Sequence, residues 1–233
     1  MSGEGGLFVS FEGGEGGGKS TQLAALARRL REGGHAVVET REPGGTPGAD
    51  AVRELVLSGG AERYGAKLEA VLFAAARIDH IQSVIVPALA AGAVVLCDRF
   101  HDSTRVYQGL DGGVDAAFLA RLERVTLGSI VPDVTFILDL PARIGLERAA
   151  VRRGAARADR FEKDDLDLQE RRRRAFLAIA REEPDRCLVV DAARDAETIA
   201  REIADLVEDR LEARRFEAIS RSFGAAPRAG SRT

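Results

Sequence analysis

The chain contains no asparagine, so the N-K-x-D motif with which GTPase switches read guanine is absent. Histidine is scarce. His35, His80 and His101 have no ligand-like spacing, and a zinc or iron site is not expected. The two cysteines, Cys97 and Cys187, each sit in an apolar run, which reads as reduced, buried thiols rather than a disulfide framework. No apolar run reaches the ~18 residues of a membrane span. Met1 to Gly6 has neither the basic start nor the apolar stretch of a signal peptide. Neither sign of charge dominates. With 34 Lys and Arg against 37 Asp and Glu, nothing global points to nucleic acid or an anionic membrane as a partner. These absences describe a cytoplasmic globular protein. The 45% hydrophobic and 30% charged residues are enough to bury a core and too apolar for disorder along most of the chain.

What is present is an alternation of short apolar runs with amphipathic stretches. Leu7 to Glu12, Ala36 to Thr40, Val94 to Asp98, Val134 to Asp139 and Cys187 to Asp191 read as strands. Leu23, Leu26, Ala27 and Leu30 repeat with helical spacing, and Gly33-Gly34 ends that helix. Further helices are expected over Pro47–Leu57, Ala66–Ala91, Ala116–Leu127, Ala142–Arg152, Asp165–Arg181 and Ala196–Arg214, with a kink or restart at Pro87. Strands alternating with helices predict an α/β fold, a five-stranded parallel sheet flanked by helices on both faces. In such sheets ligands bind beyond the carboxyl ends of the strands. A single domain over residues 1–213 is expected, followed by a tail at 214–233 that is mobile toward its end.

Gly13-Gly14-Glu15-Gly16-Gly17-Gly18-Lys19-Ser20 fits G-x-x-x-x-G-K-[ST], and Thr21 follows it. The motif lies after a strand and opens a helix, which is the context it needs. Glycines let successive backbone N–H groups converge on phosphate oxygens, and the helix N-terminus adds partial positive charge. Lys19 reaches the outer phosphates of a nucleoside triphosphate, and the Ser20 hydroxyl is placed for Mg²⁺. The third strand ends in Asp98-Arg99. The aspartate can hold a water of Mg²⁺ and the arginine can grip a second phosphate, as a kinase with a phosphorylated acceptor requires.

At these residues the sequence resembles the thymidylate kinase family, over roughly residues 7–213. The resemblance is carried by Phe11-Glu12 with the P-loop and by Thr40-Arg41-Glu42-Pro43-Gly44-Gly45-Thr46. It continues through Phe73-Ala74-Ala75-Ala76-Arg77, Asp98-Arg99-Phe100, Asp102-Ser103-Thr104 and Tyr107-Gln108-Gly109. Pro132-Asp133 and Asp159-Arg160-Phe161-Glu162 complete it. Members of the family are P-loop kinases that convert dTMP and ATP to dTDP and ADP, usually as homodimers. The resemblance thus implies ATP and dTMP as ligands, Mg²⁺ as cofactor and a second copy of the chain as partner.

It also implies roles. Glu15 would meet the sugar 3′-OH and help place Mg²⁺, with Ser20 and Asp98. Arg53 and Arg99 would hold the dTMP phosphate, since two guanidinium forks match its anionic oxygens. Phe73 and Arg77, four apart and so on one helix face, would stack on the pyrimidine and donate to a ring carbonyl. Leu68, Val71, Leu72 and Ala75 fall on another side of that helix. Ser103, Thr104 and Gln108 would read the remaining base edge, Tyr107 would pack where a ribose 2′-OH projects, and Pro43, with a cis Glu42–Pro43 bond, would line the base site. The arginine-rich segment at about 150–162 resembles a lid. Arg153 and Arg157 are its candidates for meeting the transferring phosphoryl group, because the P-loop position where some members carry arginine is Gly16 here. One arginine of Arg171–Arg174 could turn toward the acceptor. Arg105, Phe100 and Phe176 depart from the usual family residues. A kinase of the same fold with another nucleotide or nucleoside acceptor, or a nucleotide-binding regulator, are the alternatives that the residues alone leave open.

Overall fold

A computed structural model of the chain describes residues 6–153 and 165–224. The readings placed on Arg157, on most of the lid and on the last residues of the tail lie outside the described residues. The strands are β1 (Phe8–Glu12), β2 (Val37–Arg41), β3 (Val94–Asp98), β4 (Val134–Asp139) and β5 (Cys187–Asp191). They form one parallel sheet in the order β2-β3-β1-β4-β5. β1 is therefore central, and all five of its residues are buried.

The period of two divides the side chains between two layers. Leu7, Val9, Phe11, Val94, Leu96, Val134, Phe136 and Leu138 pack against α1 (Lys19–Glu32) and α9 (Ala196–Gly224). Phe8, Val95 and Cys97 face Ile81, Ile85, Phe100 and Leu127 on the opposite side. Ile137 joins Tyr107, Phe176 and Ile179 there. The same parity decides where the polar strand ends point. Asp98 follows Leu96 toward α1, whereas Glu12 follows Phe8 and Ser10 into the other layer.

The expected long helix is one continuous rod of three pieces, α3 (Ala66–His80), a π-helical turn over Ile81–Ile85, and α4 (Val86–Ala90). Pro87 produces no break. The wider turn just before it shifts the hydrogen-bond register, so the missing Pro87 N–H falls in the first turn of α4. The rod Ala66–Ala90 is long and apolar enough to cross a membrane by length and composition. Its inward face, with Ala70, Ala74, Arg77, His80, Ile81 and Ile85, is packed into the domain.

The remaining helices are α2 (Pro47–Leu57), α5 (His101–Thr104), α6 (Ala116–Leu127), α7 (Ala142–Arg153) and α8 (Leu166–Glu182). α5 runs directly into a second π-helical segment, Arg105–Asp111, that the pattern of the sequence did not announce. α9 continues past residue 213, the expected end of the domain, to Gly224. Arg214 on it donates to the Gly6 carbonyl at 2.5 Å and pairs with Asp133, which itself accepts from Phe8 N at 2.8 Å. The helix is thereby tied to the start of β1.

Candidate active site

A cavity of about 360 Å³ opens at the carboxyl ends of β1, β2 and β3. It is lined by the P-loop from Glu15 to Thr21, by Pro43, Arg53, Phe73, Arg77, Asp98 and Arg99, and by Ser103, Thr104, Tyr107 and Gln108. The structure thus brings together in one space residues singled out from separate segments of the chain. Gly13 and Gly14 stand just behind it, where their carbonyls accept from Lys19 Nζ at 3.2 and 2.8 Å. Arg41, Glu42, Leu57 and Phe100 also line it. The side chain of Arg153, at the end of α7, is not described.

The phosphate loop turns on Gly18, which is left-handed at φ 86, into α1. Gly16 is the tighter point. Its φ is +70, and a Cβ there would lie 2.1 Å from the Gly145 carbonyl of α7. No side chain fits at that position, so the arginine that some family members carry in the P-loop is excluded by the packing of α7. Lys19 is 8% exposed. Burial, and then the nearby Arg99 charge, lower its pKa. Ser20 Oγ donates to Asp98 Oδ2 at 2.5 Å, across from α1 to β3, as the strand parity requires.

Arg99 takes φ 70, the only non-glycine residue among those described with a positive φ. Its N–H donates to Phe11 O at 2.9 Å, which pins the turn to β1. The guanidinium spans the cavity floor. Nη2 donates to Glu15 Oε1 at 2.6 Å, and Nη1 donates to Gly13 O and Ser103 Oγ, both at 3.2 Å. Its carbon lies 5.3 Å from the centre of the Tyr107 ring. Glu15, expected near sugar and metal, is in this structure the counter-ion of Arg99. Arg53 reaches back to donate to the Pro43 carbonyl at 3.0 Å, and the Glu42–Pro43 peptide before it is cis.

Two carboxylates and one arginine have partners here that the sequence did not assign. Glu12 is fully buried and accepts from Phe100 N at 2.7 Å, Ser103 N at 3.2 Å and Ser103 Oγ at 2.7 Å. It fixes the start of α5 and, through Ser103, the Arg99 fork. Burial, then repulsion by Asp102, push its pKa up to about 7 against the lowering by Arg99, Ser103 and Phe100. A glutamate closing an otherwise apolar central strand was the one available signal. Glu42 pairs with Arg77 at 2.6 Å inside the wall of the cavity. Arg172, from the run Arg171–Arg174, is 2% exposed, pairs with Asp111, and lies 4.6 Å over the Tyr107 ring. It is buried behind Tyr107 and is not among the residues that line the cavity, while its neighbour Arg173 pairs with Asp139 at 2.6 Å.

Arg105, which left the acceptor rim uncertain, points away from the cavity. It pairs with Glu123 and Glu183, both at 2.5 Å, and with Asp102 at 3.2 Å. Phe100 and Phe176 are core residues, fully buried against Phe8 and Tyr107.

The Glu12 geometry makes a pH-dependent prediction. A carboxyl whose folded pKa is raised contributes stability fully present below its unfolded pKa, near 4.5, and lost as pH rises through 7. Glu12→Gln removes that term. The variant should be less stable than the parent at pH 5, because its amide faces backbone donors, and the gap should close by more than about 1 kcal/mol by pH 8. Urea unfolding of both proteins across that range checks it, and a gap independent of pH would refute it.

A strand-loop-helix phosphate cradle thus stands opposite two arginines and an aromatic wall, as a phosphoryl donor and a phosphorylated acceptor require. Comparison with known proteins gives the same direction. A family model described as thymidylate kinase matches residues 11–203. A thymidylate kinase of Caulobacter vibrioides is 55% identical over 206 residues, covering 88% of this chain and 98% of that protein. One of Bartonella quintana is 54% identical over 202 residues, covering 86% of this chain and 94% of that protein. The crystal structure of thymidylate kinase from Ehrlichia chaffeensis superposes with a TM-score of 0.70 at 33% identity, covering 88% of this chain and 99% of that one. With the phosphate loop, the acceptor wall and the matched length in agreement, the chain belongs to the thymidylate kinase family.

Proposed function

We propose that the chain transfers the γ-phosphoryl group of ATP to dTMP, giving dTDP and ADP, a step of dTTP synthesis. The observation that carries this reading is the single cavity in which Lys19 and the P-loop face Arg99, Arg53, Phe73 and Arg77. An oxygen of the dTMP phosphate attacks the γ-phosphorus in line as the bond to the β–γ bridging oxygen breaks, and ADP leaves with that electron pair. The acceptor phosphate is already ionised, so no strong base is needed. What the protein supplies is alignment and positive charge. Lys19 and the loop N–H groups hold the donor, and Arg99 with Arg53 holds the acceptor phosphate. Phe73 stacks on the base, Arg77 and Thr104 address its edge with Ser103 and Gln108 beside them, and Tyr107 occupies the side where a ribose hydroxyl would project.

Ser20 and Asp98 offer two hard oxygens side by side next to Lys19, a donor set that suits Mg²⁺. Among the described residues no group of three His, Cys, Asp or Glu could hold a metal ion. Mg²⁺ supplies neutralisation of the phosphate oxygens when bound. Arg153 and Arg157 remain candidates for a closing lid. A cytoplasmic homodimer is part of the same reading. It is supported by the outer face of α3, where Leu68 and Val71 are exposed beside the half-buried Leu72.

The test is ADP release coupled to dTMP, dUMP, dGMP, thymidine and ribose-TMP, with light scattering on the same preparation. dTMP should be the best acceptor. A methyl in an apolar pocket is worth about 1–3 kcal/mol, so dUMP should be slower by about 10-fold or more yet remain a substrate. dGMP, thymidine and ribose-TMP should turn over far less, and the mass should be that of two chains. Equal kcat/KM for dTMP and dGMP would overturn the acceptor assignment. A monomer would overturn the dimer alone.

A further inference from the structure

Glu42 has no role in the reading above, yet its side chain is 5% exposed and both oxygens are committed to α3. Oε2 accepts from Arg77 Nε at 2.6 Å and Oε1 accepts from His80 Nδ1 at 3.0 Å. His80 is fully buried, and its Nε2 lies 2.7 Å from Thr40 Oγ1. A carboxylate only accepts, so Nδ1 is the nitrogen that carries hydrogen, and in the neutral ring Nε2 accepts from the threonine hydroxyl. Thr40, His80, Glu42 and Arg77 are therefore one chain of hydrogen bonds between the end of β2 and the inner face of α3.

The loop after β2 is fitted to the imidazole. Gly45 has φ +90, and a Cβ on it would stand 2.7 Å from Thr40 Oγ1 and 2.9 Å from His80 Nε2. The backbone lies against the ring and keeps it from turning. At the other end of the chain, Arg77 Nη2 donates to Thr104 Oγ1 at 3.0 Å and to Phe100 O at 3.3 Å. Those contacts fix one nitrogen and allow the guanidinium plane to pivot about it. The short bond from Nε to a charged carboxylate removes that freedom. Nη1 is the nitrogen with no protein partner among the described residues, and Arg77 lines the cavity.

We propose that Thr40, His80 and Glu42 are positioning residues that hold the Arg77 guanidinium at the angle from which it reads the acceptor base. The proposal rests on the reading of Arg77 as the base-contacting arginine. Loosening the chain frees Arg77 without touching the P-loop. The effect belongs in the acceptor KM and in base discrimination, and is small in ATP affinity.

The variants are Glu42→Gln, His80→Leu, His80→Asn and Arg77→Lys. The readouts are KM for dTMP, kcat, ATP Kd, and the ratio of kcat/KM for dTMP over dCMP, which replaces a ring carbonyl by an amine and lacks the methyl, a difference that dUMP measures separately. A hydrogen bond to a charged group is worth enough that Glu42→Gln and His80→Leu should raise KM about tenfold and lower the dTMP/dCMP ratio by about the same factor, with ATP Kd unchanged. His80→Asn keeps a donor near the Nδ1 position and should recover most of the loss. If Glu42→Gln and His80→Leu only lower the melting temperature, while Arg77→Lys shifts both KM and the ratio, the positioning role is overturned and the Arg77 reading survives. If Arg77→Lys shifts neither, the Arg77 reading falls and the proposal with it. Should the buried variants fail to fold, Thr40→Val removes only the outermost bond. A shift of about threefold in the same two numbers sustains the proposal, and no shift overturns it.

Discussion

Arg99→Ala should lower kcat/KM for dTMP by about 10³-fold or more, the scale of arginines that meet a transferring phosphoryl group. Arg99 is poised for this by its surroundings. The guanidinium is held by Glu15 at 2.6 Å and by Gly13 O and Ser103 Oγ at 3.2 Å. Its side chain is 18% exposed, so part of the fork still faces the cavity. An acceptor phosphate arriving there finds a charge whose orientation is already fixed, and little of the binding energy goes into ordering it. Arg99→Lys should recover only a small part of the loss, because an ammonium keeps the charge without the planar fork. ATP Kd should stay within about threefold, since donor binding rests on the P-loop. Steady-state kinetics and ATP titration of the two variants check this. A folded Arg99→Ala enzyme with kcat/KM within tenfold of the parent would remove Arg99 from the acceptor site.

Lys19→Ala should lower kcat by at least about 10³-fold and also weaken ATP by about tenfold or more, because its charge is wanted in both the bound and the transition states. The same change should leave thermal stability equal or higher. Burial and the Arg99 charge lower the Lys19 pKa, so the fold carries this cation at a cost. Its bonds to the Gly13 and Gly14 carbonyls, at 3.2 and 2.8 Å, offset part of that cost. Function and stability thus pull in opposite directions at one side chain. Melting temperature, kcat and ATP Kd of the variant give the answer together. A variant that melts well below the parent would show that Lys19 is a structural cation, and one that retains kcat would show that it is not at the phosphates.

The order of strands and helices was legible from apolar period and turn chemistry, because both are properties of neighbouring residues. The phosphate loop was legible for the same reason. Eight consecutive residues carry it, and the strand before and the helix after are local. Boundaries were met closely where a cap stands at the end, as with Ala116–Leu127 between Asp115 and Gly128. Two places were not. The rod through Pro87 stays unbroken because a π-helical turn re-registers it, and α9 runs on to Gly224 because no breaker precedes that glycine.

The candidate residues of the cavity could be named from short segments, but not what each one touches. Within the run Arg171–Arg174, nothing in the sequence separates Arg172, buried over Tyr107, from Arg173, paired with Asp139. Helix phase relative to the sheet decides that. Arg105 and Arg99 both follow β3, yet one supports the core and the other faces the cavity. Glu42 meets Arg77 across 35 residues and Glu12 meets Phe100 across 88. By itself the sequence determined the strands, the longer helices, the phosphate loop and the residue types available for the chemistry, since those depend on neighbours along the chain. Only the tertiary structure decided that β1 lies between β3 and β4, that Glu12 is an internal carboxyl holding the start of α5, and that Glu42 is one holding Arg77. A buried charge is defined by partners that come near only when the sheet has closed around it.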